Sequence, residues 1–223
     1  MISDIINDIV IGTYRLDRQK IVYRTIKYID NTICNFPQWL KNSNIPFYSN
    51  ENTLNPKLAE FLNNLESKDF IIDNLKFSFT NQPASSKYTP DIGVCLMDKL
   101  SSSKYLFYLE GKRLPAINKT HEREYVCGKL GGIQRFKENK HGKDLPSSAM
   151  VGYVQKETFN VWQDKINNWI DDLIESEDSL WNDSDKIVVF NNRNDKFSSK
   201  HNRIDGNGPI ILYHYWIDLT EED

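Results

Sequence analysis

The chain is poor in the residues that most readily betray a chemistry. It holds three cysteines and four histidines in 223 residues. Cys34, Cys95 and Cys127 are odd in number and far apart. They form no CxxC and no Cys/His zinc spacing, and nothing in them reads as a disulfide framework. Such usage fits a reducing, intracellular compartment, so the expected location is cytoplasmic. His121, His141 and His214 are scattered and read as non-catalytic. His201 has no second histidine, cysteine or asparagine at a spacing that would support a histidine-based site. No run approaches a membrane span, and no basic segment followed by an apolar core opens the chain. Internal repeats, a helix-turn-helix and a zinc module are also missing. Charge of one sign is lacking too: 28 basic against 31 acidic residues leave a net charge of −3. That balance gives no global sign of nucleic-acid binding.

What is present is enough for a core. Hydrophobic residues make up 39% and aromatics 12%. The length suits one domain, or one domain behind an N-terminal extension. The organisation expected is a helical extension over 1–46 and a main domain over 47–223. Charge is segregated along the chain. Between Gly111 and Lys143 nine basic residues face three acids, whereas Glu157 to Asp185 carries nine acids and one lysine. The basic block suits a phosphate-contacting face. Richness in Asn, Ile and Lys is the mark of an AT-rich bacterial genome.

The stretch from Pro90 to Lys112 organises the rest. Ile92–Met97 and Tyr105–Leu109 are β-type runs, and the Ser-rich segment between them reads as a turn, which together predict a hairpin. Centring the turn between Leu100 and Ser101 makes opposed residue numbers sum to 201, so Asp91 faces Glu110. Side chains alternate along a strand, so Glu110 and Lys112 share one face. Two opposed carboxylates destabilise a strand pair unless something compensates. A divalent cation is a natural compensator, because hard cations take carboxylate oxygens.

Pro90-Asp91 followed by Glu110-Gly111-Lys112 resembles the PD-(D/E)xK signature of the restriction-endonuclease-like nuclease superfamily. The resemblance implies an α/β fold: a central mixed sheet of four to six strands flanked by helices. It also implies Mg²⁺-dependent hydrolysis of DNA phosphodiester bonds, with Mn²⁺ able to substitute. Asp91, Glu110 and the Gly111 carbonyl would hold the metal, which activates a water and offsets charge on the phosphate. Lys112 would orient or deprotonate that water and stabilise developing charge. In the resembled family a helix before the hairpin often supplies a further acid. Glu51 and Glu60 compete for that role, and Glu51, at a helix entry, is favoured. A helix after the lysine strand often sends a polar side chain to the site, here Gln134.

The remaining elements follow in order. Met1 to about Asn44 looks helical, with Val22, Ile26, Ile29 and Ile33 as its stripe. A helix starts near Asn55-Pro56. Phe70 to Thr80 reads as the first strand. A helix is expected over 122–140 despite Gly128, Gly131 and Gly132. Ser148–Val154 is a buried-type strand, which completes the strand–strand–strand–helix–strand order of the resembled fold. Phe159–Ile174 is a helix whose Trp162, Ile166, Trp169, Ile170 and Leu173 are core. A short strand over 186–190, a basic loop over 191–207 and a last strand over 210–219 close the chain. Candidate nucleic-acid contacts are Arg113, Lys129, Arg135, Lys137, Lys200, His201 and Arg203.

The expected substrate is double-stranded DNA, and the expected setting is prokaryotic restriction or phage defence. Sequence reading by such a chain requires a homodimer, a partner subunit or its own loops. Two rival readings stand beside this one. The first is a catalytically inactive protein of the same fold that binds nucleic acid or a protein. The second is an unrelated α/β protein whose acids lie on a solvated hairpin.

Overall fold

The computed structural model describes residues 9–11, 14–16, 18–64, 76–82, 89–97, 105–128, 130–176, 178, 180–190 and 193–220. The N-terminal region is not helical throughout. Ile9–Ile11 (β1) and Tyr14–Leu16 (β2) pair antiparallel before the first helix, Arg18–Thr32 (α1). Phe36–Asn42 (α2) and Glu51–Asn64 (α3) follow. The expected stripe does bury itself: Val22, Ile26, Ile29 and Ile33 all lie in the core. They share one apolar cluster with Leu58 and Phe61 of α3 and with Phe107 and Val151 of the sheet.

The main strands are Lys76–Asn81 (β3), Ile92–Met97 (β4), Tyr105–Leu114 (β5), Ser147–Val154 (β6), Val188–Phe190 (β7), Arg193–His201 (β8) and Ile210–Asp218 (β9). They form one mixed sheet in the order β3-β4-β5-β6-β9-β8-β7. β6 runs parallel to both β5 and β9, and the other pairs are antiparallel. The sheet has seven strands rather than four to six, because β8 occupies what reads in sequence as a basic loop. Its Lys196, Ser199 and His201 are buried. Alternation of small polar and apolar residues is a weak strand signal when the polar positions are the buried ones. The expected start of β3, 70–75, lies outside the described residues.

Two apolar clusters cover the two sheet faces. Ala149, Val151 and Tyr153 of β6 join the cluster under α1–α3, and Met150 and Val154 join the other. That second cluster holds Phe159–Glu175 (α5) through Trp162, Ile166 and Ile170. Every residue of β6 is buried, as expected of a parallel central strand covered on both faces.

The helix expected over 122–140 is broken. A 3-10 segment spans Lys119–Tyr125, and a short helix, Gly132–Lys137 (α4), follows Gly131 as its cap. Gly128 has φ +103, a conformation that ends a helix. A side chain at Gly132 would begin 2.3 Å from Met150 Cε, so glycine there lets α4 press on β6.

Candidate functional site

The β4–β5 ladder sets the site. Ile92 pairs with Leu109, Gly93 with Tyr108 and Val94 with Phe107, the register expected from the sequence. A bulge after Val94 shifts the pairing near the turn but leaves this end intact. β4 stops at Ile92, while β5 continues to Leu114. Beyond Leu109, therefore, β5 has no strand partner on this edge among the described residues. Two carboxylates cap it. Asp91 Oδ2 accepts a hydrogen bond from the Gly111 N–H at 2.9 Å, and Glu51 Oε1 accepts from the Arg113 N–H at 2.6 Å. In a strand the N–H and C=O of one residue point the same way. The Gly111 carbonyl accordingly faces the edge where both acids stand.

Glycine at 111 is a packing requirement. A Cβ there would lie 2.0 Å from Asn55 Oδ1, which accepts a hydrogen bond from the Tyr153 hydroxyl at 2.8 Å. α3 thus lies directly on β5, and its first residue, Glu51, reaches the edge. Glu60 stands elsewhere on α3, exposed and paired with Lys57 at 2.7 Å.

Glu110 and Lys112 share the α4 face of β5. Glu110 is 2% exposed. Its Oε1 lies 3.1 Å from Lys112 Nζ and 3.8 Å from Arg135 Nη1. Its Oε2 lies 3.6 Å from His141 Nδ1. Among the described residues neither Glu110 Oε2 nor either His141 ring nitrogen has a hydrogen-bond partner.

The electrostatics follow from this crowding. Burial, and then the Glu110 charge, raise the Asp91 carboxyl to about 7, against the opposing pull of Lys112 and the Gly111 N–H. Burial alone would lower the Lys112 ammonium, but Glu110, Glu51 and Asp91 outweigh it and hold the pKa above its ordinary value. Burial lowers His141 to about 4, with Glu110 opposing and Arg135 and Lys112 adding to the drop. Among the described residues no three His, Cys, Asp or Glu side chains close into a metal cage. Asp91, Glu110 and the Gly111 carbonyl are donors of the kind a hard cation takes. Two carboxylates and a main-chain carbonyl are oxygen ligands, and Mg²⁺ commonly keeps several waters. A cleft of about 310 Å³ opens beside Glu51 and Arg113, with Asn50, Ile117 and Asn118 on its walls.

Other expected site residues lie elsewhere. Gln134 Oε1 accepts from the Gly128 N–H and its Nε2 donates to Glu138, each at 2.9 Å, so it staples the entry of α4 instead of reaching the site. The later start of α4 turns Arg135 towards Glu110 in its place. Lys129 lies outside the described residues. Lys200 is exposed on β8, and Arg113 is half-buried with its Nε on Gln155 Oε1 at 2.8 Å.

Arg135, Lys137, His201 and Arg203, expected as nucleic-acid contacts, are all buried and so do not form an exposed nucleic-acid face. Arg203 donates to the carbonyls of Gly142 and Leu145 at 2.9 and 2.7 Å. Lys137 pairs with Asp185. From Asp185 a chain of buried polar groups crosses the fold. His201 Nδ1 meets Asp185 at 2.6 Å and its Nε2 meets Ser199 Oγ at 2.6 Å. Ser199 Oγ meets His214 Nε2 at 2.7 Å, His214 Nδ1 meets the Tyr125 hydroxyl at 2.9 Å, and the Trp216 indole donates to that hydroxyl at 3.0 Å. Spacing in the sequence carries no sign of this chain or of His141: apart from Ser199 and His201, two apart on β8, the contacts join elements 15 or more residues away. No protein-family model, no curated protein and no solved structure matches this chain.

Proposed function

We propose that this protein is a metal-dependent nuclease of the PD-(D/E)xK kind, which hydrolyses phosphodiester bonds in double-stranded DNA. The supporting observation is that Asp91 and Glu51 cap the edge of β5 beside the Glu110–Lys112 pair on its face, close enough for Glu110 and Lys112 to act on the Asp91 charge. Asp91, Glu110 and the Gly111 carbonyl would hold Mg²⁺ or Mn²⁺. When bound, such an ion supplies an acidified water and offsets charge on the phosphate. Lys112, raised and therefore charged in the ion-free protein, is suited to holding a phosphate oxygen rather than to taking a proton. Glu51 fixes the edge by holding the Arg113 N–H. Among the described residues, half-buried Arg113 and exposed Lys200 are the expected cations left for the DNA backbone. A role in prokaryotic restriction or phage defence, acting as a homodimer or with a partner subunit, is the setting that suits such an enzyme.

The test is Mg²⁺-dependent cleavage of duplex DNA by wild type and by Asp91→Ala, Glu110→Ala and Lys112→Ala. Each variant should lose about 100-fold or more. Unchanged activity in all three would end this reading. A second reading, a non-catalytic binding protein of the same fold, draws on the partners the carboxylates already have: the Gly111 N–H for Asp91, and Lys112 and Arg135 for Glu110. Calorimetry separates the two, since a dead site would bind Mg²⁺ and Mn²⁺ poorly.

A further inference from the structure

We propose that His141 and Glu110 bind a divalent ion of borderline softness, such as Co²⁺ or Zn²⁺, through a His141 ring nitrogen and Glu110 Oε2. The inference goes beyond the nuclease reading, because it concerns ion binding and holds whether or not the protein cleaves anything.

Glu110 Oε2 and both His141 ring nitrogens are buried and lack hydrogen bonds among the described residues. Buried polar atoms are almost always paired, so a group of orphans facing each other marks the place of something else. His141 is 0% exposed and Glu110 2%, which keeps bulk water from satisfying them.

The separation of 3.6 Å between His141 Nδ1 and Glu110 Oε2 narrows the candidates. It is too long for a hydrogen bond. A water bonded to both at ordinary lengths would hold them about 4.6 Å apart. Ligands at about 2.1 Å from a tetrahedral ion stand about 3.4 Å apart, close to what is seen. Imidazole beside carboxylate favours a borderline ion over Mg²⁺. Local charge permits it. Lys112 and Arg135 approach the other oxygen, Oε1, which leaves Oε2 turned towards His141. The protein gives two donors, and two waters retained by the ion would complete a four-coordinate shell.

The experiment titrates the full chain with Co²⁺ alone and follows visible absorption, which is strong for four-coordinate and weak for six-coordinate Co²⁺. Wild type should develop the strong bands. His141→Gln should lose them and bind Co²⁺ about tenfold or more weakly, with Mg²⁺ binding unchanged. Proton NMR of the Co²⁺-loaded wild type should show a hyperfine-shifted imidazole N–H, a readout that survives any misfolding of the variant. Weak, six-coordinate bands that His141→Gln leaves unchanged would overturn the proposal, as would the absence of that resonance or of Co²⁺ binding. DNA cleavage without an imidazole-bound ion would refute this inference and spare the nuclease reading. An imidazole-bound ion in a protein that leaves DNA intact would do the opposite.

Discussion

Two buried polar clusters sit on this sheet, and they differ in how their hydrogen bonds close. In the chain from Trp216 to Lys137 every link is made. A carboxylate can only accept, so His201 Nδ1 donates to Asp185, and burial favours a neutral His201 whose Nε2 accepts. That order leaves His214 Nδ1 to accept from the Tyr125 hydroxyl, which itself accepts the Trp216 N–H. His214 then donates through Nε2 to Ser199, Ser199 to His201 Nε2, and His201 through Nδ1 to Asp185. Burial favours the neutral form of both histidines, and the bonds then hold each in one tautomer. Around Glu110 and His141, by contrast, the bonds stop short. A closed network specifies a fold, whereas an open one at the end of a sheet edge leaves valences for a ligand. The Asp185–His201–Ser199 link has the connectivity of a hydrolase triad, yet full burial denies it a substrate.

Stability measurements can break this contrast. The largest effect should come from Asp185→Ala. It strands Lys137 and His201 together in the interior and should cost about 3–5 kcal/mol in urea unfolding. Next, His201→Phe should cost about 2–3 kcal/mol, since it leaves both Ser199 and Asp185 short of a partner. If either substitution is nearly neutral, the closed chain is not holding the fold.

Acid should act on the same chain. Burial holds both His201 and His214 below the ordinary histidine value of 6.5; at His201 Asp185 opposes the drop and Lys137 adds to it, and at His214 the neighbouring His201 adds to it. The unfolded chain takes up these protons below pH 6.5 while the folded chain does not. Stability should therefore fall as pH drops through that point, by about 1.4 kcal/mol per pH unit for each histidine. Asp185 adds to the loss at lower pH: burial raises its carboxyl, but His201 and Lys137 outweigh this and leave it depressed. Urea midpoints between pH 7 and 5 check the slope, which should flatten in His201→Phe. The smallest effect belongs to the open cluster. His141→Phe removes a ring that makes no hydrogen bond and should change stability by less than about 1 kcal/mol. A loss equal to that of His201→Phe would erase the difference between the clusters.

Much of the site's frame was legible because it is local. Pairing of Ile92 with Leu109 follows from two apolar runs around a polar turn, and alternation puts Glu110 with Lys112. Glu51 was preferable to Glu60 from its place at a helix entry, and it does reach β5. Gln134 misled, because the helix containing it begins ten residues later than periodicity indicates, at Gly132. Lys137, His201 and Arg203 misled for a different reason. Charge along a sequence does not say which charges have buried partners, and theirs come from 48, 16 and about 60 residues away.

Local pattern, then, set the elements: which runs alternate, which recur at helical spacing, and where glycine and proline interrupt them. It also fixed the register that brings Glu110 and Lys112 onto one face. Only the folded chain decided which polar residues are satisfied, since a hydrogen bond between distant strands depends on the stacking order of the sheet. The same order set Arg135 and His141 against Glu110, and it sealed His201 away from solvent.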